Sequence, residues 1–203
     1  MKKALSLILA LIMAFSLVAC GGKGSDTPAP DSDKPSTSTE AAEAKPLRVV
    51  QDVVLGNADP SLNTSISGQI FLWQVYEGLV AYDEKTGEVS GRVADSWEYA
   101  DDMSYIDFHI NPDVTFHDGS KVTAQDVAFS YDHYLEGNYY TGDMQHFESW
   151  EVIDEETFRI NLTGTTVLPM LYVSFICVLS QASVEAAGAD AFMTPETSIG
   201  TGP

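Results

Sequence analysis

From position 21 to position 46 the chain carries no aromatic residue and no Leu, Ile or Val. A stretch built only of Gly, Ser, Thr, Pro, Ala, Asp, Glu and Lys has nothing with which to close a core, so it reads as a flexible tether. Any globular unit must begin after it. That leaves residues 47–203, a run of 157 residues, which is enough for one hydrophobic core of ordinary domain size.

What precedes the tether sets the compartment. Lys2 and Lys3 form a short basic start, residues 4–19 form an apolar run, and Leu17-Val18-Ala19 places small and apolar side chains directly before Cys20. The run is short and no basic stop-transfer flank follows, so residues 1–19 read as a secretory signal peptide and not as a spanning helix. The cysteine makes the segment resemble the bacterial lipobox, which implies cleavage before Cys20 and a lipid on its sulfur. Lipid on Cys20 is then the expected membrane attachment, through the tether of residues 20–46.

Charge narrows the partners. The chain has 10 Lys and Arg against 30 Asp and Glu; removing Lys2 and Lys3 leaves 8 against 30, a formal charge of −22. Such a surface repels phosphate backbones and anionic headgroups, which argues against nucleic acid as a partner. With Cys20 lipidated, Cys177 has no cysteine partner and lies in an apolar run, so it is expected to be a buried, inert thiol.

Along residues 47–203 strand and helix patterns are mixed without strict alternation, which predicts an α/β fold with an antiparallel subdomain. Leu47, Val49, Val53 and Leu55 share one parity, as in a strand entering a sheet. Ser67 is placed to cap a helix carrying Ile70, Phe71, Val75 and Leu79 and ending near Tyr82. Ile106, Phe108 and Ile110 alternate with polar neighbours, and so do Phe158, Ile160 and Leu162, each predicting a half-buried strand. Thr123 and Asp126 have the spacing of a capping box, opening a helix whose Val127, Tyr131, Tyr134 and Leu135 share a face. Residues 168–179 are apolar and ambiguous between helix and strand. Residues 183–192 suggest a short helix interrupted by Gly188.

Read in order, several short motifs carry a resemblance: Asp59-Pro60, Tyr76-Glu77-Gly78-Leu79, Ala94-Asp95-Ser96-Trp97-Glu98, Phe108-His109-Ile110, Val114-Thr115-Phe116-His117-Asp118-Gly119, Val122-Thr123-Ala124-Gln125-Asp126-Val127, Thr157-Phe158-Arg159-Ile160 and Gly200-Thr201-Gly202-Pro203. Their order and spacing, behind a lipobox and a tether, resemble the large extracellular solute-binding proteins of the oligopeptide, dipeptide and nickel importers, solute-binding family five. The resemblance implies part of a two-lobed, type II periplasmic-binding-protein-like fold, of which residues 47–203 are the N-terminal part and the C-terminal lobe is absent. It implies capture of a small peptide for an ABC permease outside the membrane, with no cofactor. It also implies an unpaired edge and exposed apolar surface around residues 173–179.

The same resemblance points to ligand-contacting residues: the loop Asn63-Thr64-Ser65-Ile66-Ser67, then Tyr172 and Phe175, then Gly200 and Thr201. Taken alone, Trp97 and Phe116 read as core aromatics, His117-Asp118-Gly119 as a turn, and His109, His133 and His146 as surface or core histidines. A nickel or metallophore site would favour a histidine cluster or an Arg-held chelate. With Arg48, Arg92 and Arg159 on expected surface strands and turns, a peptide is preferred. An enzyme needs a nucleophile, a base and an oxyanion donor. The chain has no Gly-x-Ser-x-Gly elbow and no His-Glu-x-x-His, so neither a secreted hydrolase nor any other catalyst is expected. A structural lipoprotein, which needs no cleft, is the remaining class.

Overall fold

The computed structural model describes residues 58–137, 144–164 and 168–203. The expected strand at 47–55, the signal peptide, Cys20 and the tether lie outside the described residues.

The chain enters through Asp59, whose carboxylate accepts from the Ser61 amide at 2.9 Å and caps a 3-10 turn, Pro60–Leu62. Helix α1, Ile66–Leu72, follows. Its N-cap is Ser65, not Ser67: the Ser65 hydroxyl accepts from the Gly68 amide at 3.0 Å, which satisfies one of the free donors of the first turn. The helix also stops well short of Tyr82. After Trp73 the backbone leaves the helix, Gly78 bridges Cys177, and the Val178 amide donates to the Glu77 carbonyl at 2.8 Å. A Cβ on residue 78 would meet the Ile176 carbonyl oxygen at 3.0 Å, so Gly permits this close backbone approach.

Strands β1, Val80–Tyr82, and β2, Val89–Gly91, form a small antiparallel hairpin. A second antiparallel sheet has the order β3-β4-β6-β5, with β3 at Ala94–Tyr99, β4 at Tyr105–Ile110, β5 at Phe147–Val152 and β6 at Thr157–Leu162. The alternation expected of β4 and β6 is present, and the register opposes Phe108 to Phe158 and Ile106 to Ile160, all four buried. The outer face is polar. There Arg159 grips Asp107, directly opposite it, through Nε at 2.6 Å and Nη2 at 2.7 Å, and its guanidinium lies 3.7 Å from the Tyr105 ring centroid.

Helix α2, Ala124–Gly137, covers the inner face. The capping box is formed: the Asp126 amide donates to Thr123 Oγ1 at 3.4 Å, and the Thr123 amide donates to Asp126 Oδ2 at 3.0 Å. Val127, Tyr131 and Tyr134 are buried, whereas Leu135 turns outward with 48% exposure. Tyr131 anchors the helix on the sheet, its ring 5.1 Å from Phe158 and 5.5 Å from Trp150 between centroids.

Residues 168–179 are both helix and extended chain. Helix α3, Pro169–Phe175, gives way to an extended segment whose Ile176, Cys177, Val178 and Leu179 are all at most 1% exposed. The expected exposed apolar surface around residues 173–179 is therefore absent. These residues are covered by β1 and α2, and Val173 is fully buried as well.

The contact with α2 is a ladder of side chains. Tyr134 Oη accepts from the Cys177 amide at 3.1 Å, Ser130 Oγ from the Leu179 amide at 2.8 Å, and Asp126 Oδ1 from the Gln181 amide at 3.1 Å. Four helical residues rise about 6 Å and two extended residues about 6.6 Å, so every second amide meets every fourth helical side chain. Burial pushes the Cys177 thiol up to about 11, the state of an inert buried thiol. Helix α4, Gln181–Ala187, follows, capped by Ser180 and ended at Gly188.

Candidate functional site

The last described residues are held by a histidine. The amide of His117 donates to the Gly200 carbonyl at 2.9 Å, its Nδ1 accepts from the Gly200 amide at 3.3 Å, and its Nε2 lies 2.9 Å from the Gly202 carbonyl. From the other side the Gly202 amide donates to the Val75 carbonyl at 3.0 Å. Residue 200 has to be Gly here, because a Cβ would overlap the Val75 carbonyl oxygen.

This arrangement borders a pocket of about 470 Å³. Its apolar lining comes from Phe71 in α1 and Val75 just after it, from Phe192, Met193 and Pro195, and from Pro203. Gln74, His117, Thr194 and Ser198 are its polar members. Most of their bonding is internal: Gln74 donates to the Ile70 carbonyl and Ser198 to the Thr194 carbonyl, while both His117 ring nitrogens face backbone. The pocket therefore presents mainly apolar surface, suited to an aromatic or aliphatic group.

A second histidine braces the opposite wall. Ala58, also in the lining, donates its amide to the Phe192 carbonyl at 2.7 Å. His133 packs its ring between Phe129 and Phe192, at 5.9 and 5.5 Å between centroids, and its Nε2 is 3.0 Å from Asp59 Oδ2. Burial alone would raise the Asp59 carboxyl, but the hydrogen bonds from His133 and Ser61 and the nearby imidazole outweigh it and hold the group below its usual range.

The expected ligand residues sit elsewhere. In the loop 63–67, Asn63 Nδ2 donates to the Ser65 carbonyl at 2.9 Å and to Gln69 Oε1 at 3.0 Å, so Asn63 and Ser65 shape the helix start. Thr64 and Ser67 are exposed, and Ile66 is 83% exposed. Tyr172 stacks on His146 at 4.0 Å between centroids, and Phe175 ends α3. Gly200 and Thr201 lie in the turn that His117 holds, beside the pocket, and Thr201 Oγ1 is buried with no hydrogen-bond partner among the described residues. None of these residues lines the pocket itself. The residues that spacing does not reveal are His117 and His133, whose partners lie 74 to 85 positions away. Among the described residues no three His, Cys, Asp or Glu side chains come together as metal donors.

The sequence profile described as bacterial extracellular solute-binding proteins, family 5 middle, matches residues 88–203. The chain belongs to that family. Among family relatives, it is similar to Heme-binding protein A of Haemophilus influenzae, 31% identical over 159 residues, covering 64% of this chain and 28% of that protein. It is 28% identical over 162 residues to a putative ABC transporter peptide-binding protein of Brucella ovis, covering 75% of this chain and 30% of that protein. In shape it matches the Helicobacter pylori periplasmic binding protein DppA in complex with peptide STSA, with a TM-score of 0.60 and 25% identity, covering 72% of this chain and 33% of that one. The mixed α/β architecture with antiparallel sheets is thus part of the type II periplasmic-binding-protein fold. The chain spans less than a third of the length of these curated relatives.

Proposed function

We propose that the protein carrying this chain is the substrate-binding component of an ABC importer, capturing di- and oligopeptides outside the membrane and handing them to a permease. The carrying observation is membership of the family 5 solute-binding proteins over residues 88–203. A relative named as peptide-binding and a structural neighbour solved with a peptide support the choice of solute. No catalysis belongs to this reading.

Residues 1–19 act as a lipoprotein signal peptide, Cys20 carries the lipid, residues 20–46 form the tether, and residues 47–203 are the N-terminal part of the binding domain. The solute-facing groups are the exposed side chains of the loop 63–67, together with Tyr172, Phe175, Gly200 and Thr201. An enclosed solute draws its affinity from walls that exclude water, so each wall contributes only part of the site.

Isothermal calorimetry on the protein expressed from its complete reading frame, with a mixed peptide library, tests the solute class. Heat with peptides is expected; stabilisation by a nickel chelate or by heme, with none by peptides, overturns it. Cys20→Ala should shift the protein from the membrane fraction to the medium or leave it unprocessed. Unchanged fractionation would remove the anchor from this account.

A further inference from the structure

The two ring contacts of His117 specify one protonation state. An amide N–H can only donate, so Nδ1 must present its lone pair to Gly200, and Nε2 must then carry the proton it gives to the Gly202 carbonyl. The turn is therefore held by a neutral imidazole in the Nε2–H form. A protonated ring would put an Nδ1–H against the Gly200 N–H, two donors face to face, while the Nε2 bond would persist.

We propose that His117 is a protonation-sensitive latch on the Gly200-Thr201-Gly202 turn, closed when the imidazole is neutral and released at Gly200 when it gains a proton. The change is local to Gly200, because the Nε2 contact to the Gly202 carbonyl and the Gly202 amide bond to Val75, which seat the residue before Pro203, persist. This goes beyond solute capture and does not depend on which solute is bound.

The surroundings leave the switch to His117. Phe71, Gln74 and Val75 on one side, and Thr194 and Ser198 on the other, carry no titrating charge. On its own turn, Asp118 accepts from the Ser120 hydroxyl and amide at 2.6 and 2.9 Å and from the Ser183 hydroxyl of α4 at 3.3 Å. Those Ser120 bonds hold the Asp118 carboxyl below its usual range, so it stays a carboxylate throughout histidine titration. Lys121, beyond the turn, and Glu196, in the 3-10 turn Pro195–Thr197, are the other charged side chains on the packed segments, and both are exposed. A backbone hydrogen bond and the Thr194 side chain hold the Glu196 carboxyl below its usual range.

The structure supplies its own control. The Gly200 amide depends on the His117 ring, whereas the Gly202 amide depends on the Val75 carbonyl. Amide exchange by NMR on the full chain, expressed as protection relative to an unstructured peptide at each pH, separates the two. Between pH 8 and pH 5 the protection at Gly200 should fall about three- to tenfold, the worth of one hydrogen bond, with Gly202 steady. His117→Asn keeps an uncharged acceptor near the Nδ1 position and should flatten the Gly200 profile. Imidazole ¹⁵N shifts at pH 8, which need no variant, should show the proton on Nε2. A proton on Nδ1 at pH 8, a flat Gly200 profile in the native protein, or an unchanged acid-induced fall in His117→Asn would each overturn the latch.

Discussion

Ser130→Ala isolates one rung of the ladder between α2 and the extended segment. Ser130 is fully buried, its Oγ donating to the Asp126 carbonyl at 2.6 Å and accepting from the Leu179 amide at 2.8 Å. Removing the hydroxyl leaves the Leu179 N–H in a dry environment, since Leu179 is itself 0% exposed. An orphaned buried amide costs about 1–3 kcal/mol. Against this, Ala is a better helix former than Ser by up to roughly 0.5 kcal/mol. The net expectation is a loss of about 0.5–2.5 kcal/mol, read as a lower urea midpoint with an unchanged slope. Leu179 amide protection should fall by more than that of its neighbours. Tyr134→Phe orphans the Cys177 amide in the same way, and because the two rungs share one segment the double variant should depart from additivity. Stability within about 0.3 kcal/mol of native together with full protection at Leu179 would show that packing alone seats the segment and that the ladder is incidental.

Thr123→Ala removes the capping hydroxyl of α2 and should lower stability by about 1 kcal/mol in a denaturant titration; no change would mean that Asp126 alone secures the helix start. Gly200→Ala drives a Cβ into the Val75 carbonyl and should fall at the upper end of the roughly 1–3 kcal/mol typical of overpacking, measured by thermal unfolding; a native melting point would mean that the turn is free to move. The Asp59 carboxyl is held below its unfolded value, so its contribution is complete above about pH 4 and is lost as pH falls through the folded value. Asp59→Asn should therefore lower stability at pH 7 and flatten the stability profile on the acid side; equal acid sensitivity in both proteins would place the titrating group elsewhere.

Where the sequence was legible, one short-range rule decided the outcome. The two-residue period of Ile106, Phe108 and Ile110 survives because one face of the sheet packs on α2 and the other meets water. The Thr123 box forms because donor and acceptor lie within one helical turn. Helix α1 was overextended because Ile70, Phe71, Val75 and Leu79 fit a helical period by coincidence. Leu79 is buried by the bridge that pairs Gly78 with Cys177, a contact across 99 residues that outweighs local propensity. Ser65 displaced Ser67 as cap because Asn63 organises the preceding loop. The apolar segment 173–179, expected to be exposed, is covered because α2 supplies polar partners for its amides, a match of periods that no hydropathy pattern records.

The motifs that carry the family resemblance turn out to do structural work. Asp59 caps the entry turn and meets His133; Gly78 admits a neighbouring backbone; Thr123 and Asp126 close a helix start; His117 holds Gly200 and Gly202. A residue whose polar atoms are already bonded within the fold has little left to offer a ligand. Asn63 and Ser65 illustrate this inside the expected site itself, because their side chains are engaged in the loop and helix cap. Thr64, Ser67 and Ile66 of the same loop, by contrast, present exposed side chains. That is why these motifs identify the family so readily while saying so little about what its members carry.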